Sequence, residues 1–124
     1  MNTELDVAHD WILENVNYSD GALIVHLFEK VSASMSRKAT VNFNNVFLHL
    51  VVEEVQDSLW NDEFPEDLGF IKKYSIASSH LARKINFTFF PFYENSVHFR
   101  LITRDEIIHV FCNSDPTVTV TEAI

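Results

Sequence analysis

The sequence of 124 residues predicts a mainly β protein, with at most short helices: an antiparallel sheet forming a sandwich or partial barrel. Three observations carry that reading. Apolar and polar residues alternate with a period of two in several short runs. Turn signals separate those runs roughly every 10 to 15 residues. No helical pattern long enough to compete runs anywhere along the chain.

The elements follow in order. Residues 1–8 form an irregular or helical lead-in, and HDWILENVNYSDGALIVHLFE, residues 9–29, reads as a hairpin. Its strands cover residues 11–18 and 22–28, joined by Ser19-Asp20-Gly21, because Gly supplies the positive φ of a tight turn. The Ser-rich stretch 31–38 reads as a loop, and Val41 and Phe43 alternate with Thr40 and Asn42 as a strand. Asn44-Asn45 then breaks the period, as a bulge or a turn would.

Residues 46–55 fit both periods. Val46, Leu48, Leu50 and Val52 alternate as a strand, while Leu48, Val51, Val52, Val55 and Leu59 also match helical spacing. The β-branched content favours a strand to about Glu53 with a helical turn near Leu59. NDEFPEDLG, residues 61–69, reads as an acidic loop broken by Pro65 and Gly69. Strands are expected over 70–78 and 81–90, the second with Ile85, Phe87 and Phe89 on one side. Val97, Phe99 and Leu101 against His98 and Arg100 give the clearest strand. Arg104-Asp105-Glu106 turns the chain into a strand over 107–112, Asn113 to Pro116 turns it again, and TVTVT closes the series. One domain of ordinary size accounts for the whole length.

Charge is the most informative bulk property. Eighteen acidic against nine basic residues give a net charge of −9. No Lys or Arg occurs in residues 1–29 or 39–71. Nucleic-acid binding needs Lys and Arg to neutralise phosphates, so this balance argues against it and favours a basic protein partner. The single Cys112 cannot form an internal disulfide, and no signal segment or membrane-length apolar run is visible, so a cytoplasmic protein is expected.

Motifs of catalysis are lacking. Cys112 sits in an apolar strand, the serines have no elbow motif, and two glycines leave no phosphate-cradling loop. The chain reads as a non-enzyme with no cofactor. Six histidines (His9, His26, His49, His80, His98 and His109) show no metal-binding pair by spacing. Those at 26, 49, 98 and 109 fall on strands, so a small-ligand or metal-binding β-domain is the alternative function. The aromatic run FTFFPFY, residues 87–93, suits core packing better than base stacking, having only Arg83 and Lys84 beside it.

The leading candidate site is the acidic belt: Glu53, Glu54, Asp57, Trp60, Asp62, Glu63, Phe64, Glu66 and Asp67. Aromatic anchors in a charged surround are a common plan for tight protein interfaces.

The opening pattern H-D-W-I-L-x-x-V-x-Y-x-D-G-A-L-I-V-H-L, followed by T-V-N-F-N-N-V, resembles small β-rich bacterial immunity-type proteins of polymorphic-toxin and contact-dependent inhibition systems. The matching positions are His9, Asp10, Ile12, Val16, Leu23, Val25, Leu27, Val41, Phe43 and Val46, within roughly the first 50 residues and mostly apolar alternation. The resemblance implies a non-enzymatic protein that binds and neutralises one cognate toxin domain, foremost a basic nuclease. It carries no toxin-binding residues over position by position, so the acidic positions rest on charge alone.

Overall fold

The computed structural model describes residues 11–30, 32–33, 35–53, 66–68, 71–75, 79, 81–82 and 96–123. Nine strands are found there: β1 Ile12–Ser19, β2 Ala22–Lys30, β3 Ser36–Phe43, β4 Leu48–Glu53, β5 Glu66–Leu68, β6 Ile71–Ser75, β7 Val97–Ile102, β8 Glu106–Cys112 and β9 Thr117–Ala123. They form two antiparallel sheets, of order β1-β2-β3-β9 and β4-β8-β7-β6-β5. No described strand of one sheet pairs with a strand of the other, so the fold is an antiparallel sandwich and not a closed barrel.

The first hairpin forms where the sequence predicts it. Ser19 pairs with Ala22 across a two-residue loop, with Asp20 at φ 51° and Gly21 at φ 80°. Positive φ at both central residues gives the primed turn whose twist matches that of the strands. The β1 register shifts between Leu13 and Asn15, leaving Glu14 as a bulge. At the next corner Asn45 is left-handed (φ 56°), and the Val46 N–H donates to the Gly21 carbonyl at 2.8 Å. The corner is thereby tied to the hairpin turn.

Alternation places the core. Leu23, Val25 and Leu27 of β2 and Ala39, Val41 and Phe43 of β3 face inward against Phe99, Leu101, Ile108 and Val110 of the other sheet. The Phe43 and Phe99 rings meet across the sheets at 5.6 Å. One contiguous cluster of this kind supplies the hydrophobic driving force for both sheets at once.

The two outer faces differ. On the four-stranded sheet Ile24, His26 and Phe28 are only half-buried. On the five-stranded sheet Tyr74, His98, Ile107, His109 and Phe111 are all buried. Leu81 and Ala82, in a helical turn, pack there on Phe111 together with Phe47, Leu48 and Leu50. A sheet covered on both faces needs apolar residues in both phases, as EIIHVFC of β8 has.

Three expectations are corrected. Ser36 to Lys38 belong to β3 and not to a loop, because they pair in regular register with Lys30 back to Phe28. Glu66 to Leu68 form a short edge strand on β6 within the expected acidic loop. Leu81 and Ala82 are helical and not extended, since Ser79 caps that turn by accepting the Ala82 N–H at 3.0 Å. The expected aromatic strand at 85–90 and the helical turn near Leu59 lie outside the described residues.

Candidate functional site

The acidic belt begins at Glu53, the last residue of β4, where it is exposed. In register it stands directly opposite Glu106, the first residue of β8. Glu54, Asp57, Trp60, Asp62, Glu63 and Phe64 lie outside the described residues. The belt re-enters as β5, where Glu66 pairs with Lys73 and Asp67 with Lys72. β4 and β5 are the two edges of the same sheet, so the belt is anchored at opposite sides of it.

The strand histidines divide. His26 lies on the outer face of β2 opposite Thr40 of β3, and His49 stacks on Tyr18 at 5.2 Å between the edge strands β4 and β1. His98 and His109 come together. The β7–β8 hairpin pairs His98 with Phe111 and Arg100 with His109, which sets the two histidines diagonally on one face. His98 Nε2 lies 2.7 Å from His109 Nδ1, and Ser79 Oγ lies 2.7 Å from His98 Nδ1. Phe111 stacks flat on the His98 ring at 4.5 Å, and Tyr74 lies against it at 5.2 Å. His9 and His80 lie outside the described residues.

This Ser79–His98–His109 chain is the feature that sequence reading missed. Sequence reading put both histidines on strands, but only the observed register, Ile102 opposite Ile107, sets 98 and 109 on the same face. Ser79 carried no signal beyond its place before a helical turn. The chemistry available to the chain is bounded by burial: Ser79 and His98 are 0% exposed and His109 is 2% exposed. Ser79 Oγ accepts the Ala82 amide and keeps both its proton and a second lone pair for His98. The arrangement satisfies polar groups in a closed layer and sets ring orientation. As a nucleophile Ser79 has no open approach. Two nitrogens 2.7 Å apart share a proton; two zinc bonds of about 2.0 Å in tetrahedral geometry would hold them roughly 3.3 Å apart. Among the described residues no group of three His, Cys, Asp or Glu side chains converges as a metal site would require.

Cys112 is buried and donates to the Ser114 carbonyl at 3.3 Å. Burial pushes its thiol up to about 11, the reverse of what a reactive thiolate needs. At the far end of the sandwich Arg37 pairs with Glu29 at 3.6 Å and lies over the Trp11 ring at 5.3 Å. No helix among the described residues is long and apolar enough to cross a membrane.

The fold and these contacts define an antiparallel β-sandwich with an exposed acid, Glu53, opposite Glu106 at the end of β4, and an enclosed polar chain. Comparison with protein-family models, with curated proteins and with solved structures finds no match.

Proposed function

We propose that this chain is a binding protein and not an enzyme: a cytoplasmic immunity protein that holds and neutralises a cognate bacterial toxin domain, foremost a basic nuclease, through its acidic surface. One observation carries the reading. A segment without Lys or Arg, bearing seven carboxylates, is anchored at both edges of one sheet, at exposed Glu53 and at β5. Such a surface steers a positively charged partner toward it and suppresses like-charged ones. A nuclease holds phosphates with Lys and Arg, and carboxylates compete for those same groups. The polar chain at Ser79 has a structural part in this reading, fixing the layer that covers the five-stranded sheet.

Co-expression with the product of the neighbouring gene tests it. A co-purifying complex that abolishes toxicity, with an on-rate that falls steeply as salt rises, is the expected result. A neighbour that is not toxic and does not bind would overturn the reading. Metal content of protein purified without chelator would then decide the alternative of a ligand-binding domain built on the sheet histidines.

A further inference from the structure

Only two large hydrophobic side chains among the described residues are exposed, Tyr18 at 51% and Val51 at 43%. Both occupy positions that face into the sandwich. Tyr18 stands opposite Leu23 and Val51 opposite Ile108, each of which is 0% exposed. They remain in water because β1 and β4 are edge strands. The two edges lie on the same side of the molecule: Tyr18 stacks on His49, and its hydroxyl donates to the Val46 carbonyl at 3.4 Å. From that contact β4 runs on through Val51 to Glu53, each step of two residues advancing about 7 Å on one face.

Acids dominate the paired strand ends of this rim, with exposed Arg104 in the neighbouring turn, its N–H donating to the Trp11 carbonyl at 2.8 Å. Glu53 and Glu106 face each other directly across the β4–β8 ladder, an arrangement that destabilises a sheet unless a cation joins it. No ion pair among the described residues engages either carboxylate; those present use Glu29, Glu14 and Asp115. No Lys or Arg occurs in β1 or β4.

We infer that the open side of the sandwich between β1 and β4 is a docking surface for a partner segment that presents an apolar side chain beside an Arg or Lys. The apolar group covers Tyr18 and Val51, and the cation sits between Glu53 and Glu106. This rests on the basic-partner reading above and narrows it to one surface. The β5 end of the acidic belt then contributes long-range steering and no contact.

Two short peptides test the surface on isotopically labelled whole chain, one alternating arginine with leucine, the other arginine with serine. The Arg/Leu peptide is expected to shift the amide resonances of Tyr18, His49, Val51 and Glu53 saturably. It should bind about tenfold more tightly than the Arg/Ser peptide, a factor worth about 1.4 kcal/mol. Val51→Ser combined with Glu53→Gln should lose that advantage while keeping the dispersed spectrum of the folded chain. Equal affinity for the two peptides, shifts centred elsewhere, or indifference to the double substitution would overturn the inference. Failure of the immunity reading is distinguished by co-expression: a toxin complex with its footprint away from β1 and β4 sinks only the surface. Peptide binding at the rim without any toxic neighbour sinks only the immunity role.

Discussion

His98 and His109 lie diagonally across the β7–β8 ladder with Nε2 and Nδ1 at 2.7 Å, and this contact extends the Ser79–His98 bond into a buried chain of three side chains. The Ala82 N–H occupies one lone pair of Ser79 Oγ, leaving the hydroxyl proton and a second lone pair, either of which can meet His98 Nδ1. With the hydroxyl as donor, His98 carries its own proton on Nε2 and donates it to His109 Nδ1, and this is the direction we predict. Nitrogen chemical shifts of the two rings should report protonated Nε2 and unprotonated Nδ1 in both. The opposite assignment for His98 would reverse the chain.

Removing the cap should cost stability in two ways at once. Ser79→Ala strips the Ala82 amide of its acceptor and His98 Nδ1 of its donor, a loss of about 1 to 3 kcal/mol. Urea denaturation should show a lower midpoint with an unchanged slope. A double-mutant cycle with His109→Ala should be non-additive by more than about 0.5 kcal/mol, because the two side chains share His98 as partner.

The Arg37–Glu29 pair is mostly buried, with side chains 12% and 7% exposed. Arg37→Leu should therefore destabilise by about 3 to 5 kcal/mol, whereas Arg37→Leu with Glu29→Leu should recover most of that loss. Thermal melts of the two variants side by side decide the matter. An equally damaged double variant would show that the pair does more than neutralise itself.

Cys112 should be silent to thiol reagents until the chain unfolds. Burial pushes its thiol up from the ordinary 9.0 to about 11, so above pH 9 the unfolded chain releases a proton that the folded chain keeps. Stability contributed below pH 9 is lost as pH rises from 9 to 11, with a ceiling of about 3 kcal/mol. Cys112→Ala should flatten that part of the stability curve measured by denaturant titration.

Gly21 gives the cleanest backbone test. Its φ is +80°, and a Cβ built there meets nothing within 4 Å. Gly21→Ala should thus cost only the left-handed backbone penalty, about 1 to 2 kcal/mol, with no repacking. Gly21→Val should cost more, since β-branching disfavours positive φ further.

How much of this was legible varies with the physics involved. The β1–β2 hairpin could be read because Asp20-Gly21 is a local signal flanked by period-two alternation. β8 was legible as a strand, but its second buried face was not, because the residues that cover it arrive from a distant part of the chain. Ser36 to Lys38 were misread for a similar reason. Serine and lysine favour a loop locally, and their pairing with Lys30 to Phe28 overrides that preference. In the candidate site, Glu53 was legible as an acid. Its opposition to Glu106 was not, since register between strands 53 residues apart leaves no trace in spacing.

The strand order has a consequence for how the molecule comes into being. β3 finds its outer neighbour in β9, with Ser36 against Ala123 and Asn42 against Thr117, so the first sheet borrows its last strand from the far side of the second. A ribosome releases β1, β2 and β3 early, yet that sheet stays one strand short until everything from β4 to β8 has emerged. The first layer cannot complete its pairing until the second has been made. Such distant pairing predicts slow, all-or-none assembly, with a nascent three-stranded intermediate whose unfilled edge is open to misassociation until β9 arrives.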